Sequence, residues 1–216
     1  MSKEKRTGAR RKRSARKQIH IPCYGYYMIV TDTEGTERCF FEGMHESLPA
    51  EIKNNLVVKV TETKTVNLVN KCLEYLNESG NYRIPWIIFD RDQVKNFDEI
   101  IKNAENYGIN VGWSNPCFEI WMFAYFGNMP NINESWKCCE KFGELYQTKT
   151  GRKYTKSDKN IYKHLTDNGD ERKAIEIAIN KEKECKRKGL SKPSDMIPCS
   201  TVYKVVNEIS KKWNEF

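Results

Sequence analysis

The sequence has no apolar run approaching the ~18 residues of a membrane-spanning helix. It has no C-x-x-C pair, no glycine-rich phosphate loop, and three scattered histidines, His20, His45 and His164. Each absence excludes a class of protein. Without a long apolar run, no membrane association is expected. The eight cysteines follow no metal-binding or disulfide spacing, and Cys138 and Cys139 are adjacent, so they read as reduced cytosolic thiols. "DTEGTE" lacks Walker spacing, which argues against a nucleotidase or phosphatase built on a phosphate-cradling loop. No apolar segment follows the basic opening stretch, so a signal peptide is not expected and the cytoplasm is the expected location.

The 216 residues are 38% hydrophobic and 31% charged, a balance that fits one main globular domain with a well-wetted surface. The formal charge of +8 is concentrated in residues 1–20, which hold nine Lys and Arg against one Glu, while the remainder carries 28 of each sign. Such a run repels itself and stays unfolded until it meets a polyanion. It reads either as a solubilising arm or as a phosphate-contacting one, with Arg11 and Arg13 among the contacting residues.

From Tyr24 the pattern alternates between strand and helix. "YGYYMIVTD", "NNLVVKVTE", "YRIPWIIFD" and "INVGWS" read as strands, each followed by an amphipathic or apolar helix. The fourth helix, "PCFEIWMFAYF", is expected to open with Asn115 as N-cap and Pro116 at its first position. Four such units predict a Rossmann-like α/β sheet of about four mainly parallel strands with helices on both faces. After Phe126 no further strand is expected, and four charged amphipathic helices follow. The expected organisation is a basic tail over residues 1–20, an α/β core over 21–130, and a helical cap over 131–216 packed on that core.

Ligands of open parallel sheets bind beyond the carboxyl ends of the strands. Strand one ends in Asp32, Glu34 and Glu37, strand three in Asp90 and Asp92, and strand four in Ser114, Asn115 and then Glu119. Asp90 and Asp92 are two apart, so in extended chain their carboxylates share a side and suit one hard cation. With no His or Cys close by in sequence, Mg²⁺ or Mn²⁺ is favoured over zinc. The bland alternative is a turn whose acids cap the next helix and pair with Arg91. Glu119 is the only charge between Cys117 and Phe126, and a carboxylate buried there needs a partner. It serves either the helix N-terminus or the site.

"VTDTEGTERCFF", "FDRDQ", "SNPCFEIW", "YTKSDKNIYKHL" and "PCSTVYKVV" stand in the order found in the RloB family, which this chain resembles over nearly its whole length after the tail. The resemblance implies a Toprim-like nuclease fold, a divalent metal held by an acid after the first strand and by D-x-D after a later one, and a role in prokaryotic abortive infection. It also implies a partner ATPase and nucleic acid, RNA or DNA, as substrate, with host transfer RNA one candidate. By this comparison Asp32 takes the place of the family's Glu, Thr36 and Glu37 match its T-E, Asp90 and Asp92 its D-x-D, and Asn115 and Glu119 its Asn and Glu. Two departures stand out: Asp32 is a methylene shorter than Glu, and Tyr125 occupies the position of a family His.

The reading that follows is a metal-dependent nuclease. Asp90 and Asp92, with Asp32 or Glu34, hold one or two Mg²⁺ or Mn²⁺ ions, while Glu34, Glu37 or Glu119, supported by Asn115, serves proton transfer. Lys186, Arg187 and Lys188 join the tail in gripping phosphates, unless they form a solvated helix end. The alternative is a non-catalytic nucleic-acid-binding or sensor subunit of the ATPase partner. A homo-oligomer is compatible with either.

Overall fold

The computed structural model describes residues 26–31, 35–60, 64–79, 82–92 and 94–213. Asp32 and Glu34, and the tail with Arg11 and Arg13, therefore lie outside the described residues. The four expected strands are β1 (Tyr27–Thr31), β2 (Leu56–Val60), β3 (Ile84–Asp90) and β4 (Asn110–Asn115), all parallel to their neighbours. A fifth, β5 (Cys199–Ser200), lies antiparallel to β4 and gives the order β2-β1-β3-β4-β5. It corrects the expectation that strands stop after Phe126. Two residues are too few to show a period, so β5 is fixed by its partner strand and not by its own sequence.

The near-continuous apolar runs of β1 and β3 follow from helices on both faces of the sheet. Alternate side chains divide between two cores. Tyr27, Ile29, Trp86 and Ile88 face α1 (Thr36–Ser47), α4 (Glu119–Tyr125) and the later helices. Met28, Val30, Ile87 and Phe89 face α2 (Leu68–Glu78) and α3 (Phe97–Asn106). No helix among the described residues is long and apolar enough to cross a membrane.

The chain then forms α5 (Ser135–Thr150), α6 (Ile161–Asn168), α7 (Glu171–Arg187) and α8 (Tyr203–Trp213). Gly151, at φ 70°, ends α5 in the left-handed conformation, and the Asp170 carboxylate caps α7 by accepting the Lys173 N–H at 3.0 Å. Side chains of α5, α6, α7 and α8 enter the same core as those of α1 and α4. Glu171 of α7 ties three other helices to its own, its carboxylate accepting the hydroxyls of Tyr125 (2.9 Å), Tyr162 (3.0 Å) and Ser210 (2.7 Å). Tyr125, where the resemblance gives His, is thus committed to this knot.

The α6–α7 turn runs directly against the end of α4. Asp170 N–H donates to the Tyr125 carbonyl at 2.9 Å, and a Cβ on Gly169 would stand 2.6 Å from that same oxygen and 2.8 Å from the Leu165 carbonyl. Backbone cannot yield there as a side chain would. Gly169→Ala is expected to lower stability by about 1–3 kcal/mol in urea unfolding. Gly143→Ala, in α5 with its nearest neighbour 3.8 Å away, should raise stability by roughly 0.5–1 kcal/mol. Effects of the same sign would contradict this packing.

Candidate functional site

β3 ends at Asp90, which lies opposite Ser114 of β4. The chain continues beside β4 for two more residues, with Arg91 N–H donating to Ser114 O at 2.9 Å and Asp92 N–H to Pro116 O at 3.1 Å. A turn then closes, Val94 N–H to Arg91 O at 2.7 Å. Asp90 is half-buried and Asp92 exposed. Thr36 and Glu37, both buried, open α1 behind the end of β1, and Glu119, 1% exposed, opens α4 behind β4.

These elements bring Glu37, Asp90, Asp92 and Glu119 to one cavity of ≈ 450 Å³, which Lys64 and Lys156 also line. Three of the strand ends singled out by the sequence thus meet. A larger cavity of ≈ 800 Å³ lies between α1, β2 and α6, lined by Glu42, His45 and Tyr162 among others. It holds none of the strand-end acids, and the carboxyl edge of a parallel sheet is where chemistry collects, so the smaller cavity is the candidate.

Asn115 does not play the expected part. β4 extends through it, the Asn115–Pro116 peptide is cis, and α4 begins only at Glu119 with no side-chain cap. The fully buried amide instead donates from Nδ2 to Pro193 O (3.2 Å) and Ser194 O (3.1 Å). Its Oδ1 has no hydrogen-bond partner among the described residues, and Asn115 is not among the residues lining the cavity. It is a strut behind the site.

Glu119 has the partners that burial demands. Its Oε1 accepts the Tyr154 hydroxyl at 2.7 Å, with Lys156 Nζ 3.8 Å away, and Tyr154 Oη is also 3.0 Å from Thr36 Oγ1. Burial, then the charge of Glu119, pushes the Tyr154 phenol well above its ordinary range, so it stays protonated. For Lys156 burial acts downward, but Glu119, Cys139 and Asp90 outweigh it and hold the ammonium charged. Tyr154 and Lys156, on the loop joining α5 to α6, are not predicted by the sequence pattern. Their signal is "YTK", in a stretch whose period marks only a helix start.

Thiols also reach this carboxylate, contrary to the expectation of a site free of cysteine. Ligand atoms of Cys117, Glu119 and Cys139 lie within 4.8 Å of one another. The two cysteines are 22 residues apart, and only the packing of α5 on α4 unites them. Hydrogen bonding with Cys138 pushes the Cys117 thiol up, and hydrogen bonding with Cys117, then burial and Glu119, does so for Cys139.

The basic residues at the end of α7 are largely paired within their helix. Lys186 reaches Glu182 and Lys188 reaches Glu184, each at 2.6 Å, while Arg187 Nε donates to Lys183 O at 3.4 Å. They do not line the cavity. Among the residues that do, Glu37, Asp90 and Asp92 offer carboxylate oxygens, the donor type that hard divalent cations take, but they are not a group with all ligand atoms within 4.8 Å of one another among the described residues.

The family model described as RloB-like protein matches residues 27–209. No curated protein and no solved structure matches.

Removing the Tyr154 hydroxyl leaves a buried carboxylate oxygen short of a donor. Tyr154→Phe is therefore expected to destabilise the protein by about 1–3 kcal/mol. Lys156→Met should cost less than about 1 kcal/mol, because the lysine side chain is 61% exposed and its attraction is screened. Urea titration of the two variants distinguishes the roles: an equal or larger loss in Lys156→Met would contradict Tyr154 as the principal partner of Glu119.

Proposed function

The chain belongs to the RloB-like family, and from that premise we propose that it is a Mg²⁺- or Mn²⁺-dependent nuclease that cleaves phosphodiester bonds in RNA or DNA. In this reading the sheet is Toprim-like, the setting is cytoplasmic antiviral defence by abortive infection, and an ATPase is a partner protein. One observation carries it: Glu37, Asp90, Asp92 and Glu119 line a single cavity together with Lys64 and Lys156.

Acids and lysines in one cavity suit a polyanion better than either would alone. Uncompensated carboxylates repel phosphate, so the acids need a cation, and the lysines give the phosphate oxygens their own contacts. Asp90 and Asp92 would hold the ion, joined by Asp32 or Glu34 from the end of β1. When bound, it would supply Lewis-acid stabilisation of charge developing on the phosphoryl oxygens. Lys156, kept charged by its acidic neighbours, meets a non-bridging oxygen. Glu119 Oε1 is committed to Tyr154, which leaves Oε2 to take the proton of the attacking water. Glu37, buried in the first turn of α1 and lining the same cavity, orients that water.

Asp90→Ala and Asp92→Ala should each reduce Mg²⁺- or Mn²⁺-dependent cleavage by about 100-fold or more, scored by sequencing the ends produced from total RNA and from a DNA panel. Undiminished cleavage would remove the assignment. Nucleic-acid binding with no cleavage by the unaltered chain in either metal would favour the non-catalytic subunit.

The basic tail has a separate readout. If it contacts phosphates, deleting residues 1–18 lowers the slope of log affinity against log salt by roughly 0.7–0.9 for each phosphate the tail neutralises. An unchanged slope would leave it a solubilising arm.

A further inference from the structure

We infer that Cys117, Cys139 and Glu119 form a binding site for a borderline divalent cation of the Zn²⁺ class, separate from the hard-cation position proposed at Asp90 and Asp92. The inference does not rest on the nuclease reading. It begins from donor geometry: two sulfurs and a carboxylate oxygen lie within 4.8 Å of one another. In a tetrahedral zinc site, bonds of about 2.3 Å to sulfur and 2.0–2.2 Å to oxygen set the donors roughly 3.5–3.8 Å apart. Movements of ~1 Å, within the reach of side-chain torsions, would therefore close the shell.

A second observation points the same way. Glu119 is 1% exposed, yet it has one hydrogen bond, to Oε1, and its nearby lysine is mostly in solvent. Among the described residues no hydrogen bond is made to Oε2. Oε2 is not among the fully buried atoms that lack a partner, so it is open to the cavity that Glu119 lines and is available to a cation. The Cys117 and Cys139 sulfurs lie within 4.8 Å of a Glu119 carboxylate oxygen. Cys117, 1% exposed, has a weak contact to the Ser135 carbonyl at 3.8 Å and thiol contacts with Cys138 and Cys139 in competition.

Donor chemistry selects the ion. Thiolates favour Zn²⁺ over Mg²⁺, whereas the all-oxygen set at the strand ends has the opposite preference. The two positions are therefore not redundant. Three protein ligands leave a fourth coordination position, as in open zinc sites and unlike closed structural ones. Because Glu119 also lines the acid cavity, an ion held here would stand in the cavity wall and draw Glu119 away from Lys156.

The test uses the full chain, reduced and stripped of metal, titrated with Co²⁺ as a spectroscopic substitute. The expected result is thiolate-to-cobalt charge-transfer absorption in the near ultraviolet with tetrahedral visible bands, saturating at one ion per chain. Zn²⁺ should abolish it and excess Mg²⁺ should not. Cys139→Ser, at a half-buried position, should weaken Co²⁺ binding by more than the about 10–100-fold typical of removing a group that only supports a ligand, and Glu119→Gln should weaken it as well. Asp90→Ala should leave it intact even where cleavage is abolished, which separates failure of this site from failure of the nuclease reading.

Absence of the charge-transfer band would overturn the inference. So would a band that persists in Cys139→Ser, which would belong to other thiols such as Cys185 and Cys199. Thermal unfolding supplies the second measurement. Zn²⁺ should raise the Tm of the unaltered chain and leave that of Cys139→Ser unmoved, since only a ligand bound by the folded state stabilises it. Equal shifts in both would overturn the site.

Discussion

All seven residues of α4 are buried, and the first of them carries a carboxylate. A helix so enclosed tolerates a charge only where partners are brought to it. α4 makes none of them itself. Tyr154 and Lys156 arrive from the loop between α5 and α6, and that loop is seated by aromatic contacts. The Tyr154 ring meets Phe142 edge-on at 4.9 Å and Tyr146 at 5.7 Å, and Phe142 meets Phe123 of α4 at 5.4 Å. Each such contact adds about 0.5–1.5 kcal/mol beyond area burial. The demand of one carboxylate thus fixes where the helices after the sheet must pack.

The chain beyond α7 closes the other side of the strand ends. Thr201 N–H donates to Trp113 O at 2.8 Å, Trp113 N–H donates to Thr201 Oγ1 at 3.0 Å, and the Ser114 and Ser200 hydroxyls are 2.9 Å apart. Just before β5, Ser194 donates from its backbone N–H and its hydroxyl to Asp98 of α3, at 2.9 and 2.6 Å, while its carbonyl accepts from Asn115. The end of β4 is therefore held by backbone pairing, by a buried hydroxyl pair and by an amide strut. Asp90, one strand away, inherits that rigidity, and a site supported in this way keeps its geometry better than one carried on free loops.

What could be read from the sequence follows the range over which each signal acts. The four parallel strands were legible because "MIV", "LVV" and "WIIF" are runs that only a doubly covered sheet buries. The convergence of Glu37, Asp90 and Glu119 was legible because parallel topology places successive strand ends on one edge. Signals that depend on distant packing were not. β5 is two residues held by a partner more than eighty positions earlier. Cys117 and Cys139 meet through the α4–α5 contact, with no spacing to announce it. Asn115 failed as a cap because Asn-Pro before an apolar run looks the same whether the helix starts at once or, as here, three residues later.

Glu119 stands where the two kinds of signal meet. The sheet supplies hard oxygen donors at Asp90 and Asp92, a set that topology alone assembles. The helices supply sulfur, a phenol and an ammonium, a set that only tertiary packing assembles. One carboxylate shares the cavity with the first set and lies among the second, bonded to the phenol and within 4.8 Å of the sulfurs. Oε1 is held by Tyr154, so an ion on the thiol side and the proposed proton transfer would both draw on the oxygen that Tyr154 leaves open. Occupancy of the sulfur side and availability of that oxygen are then linked reciprocally, as two ligands sharing one group must be. On that argument the helices after the sheet, beyond covering a hydrophobic face, determine which partners Glu119 can take.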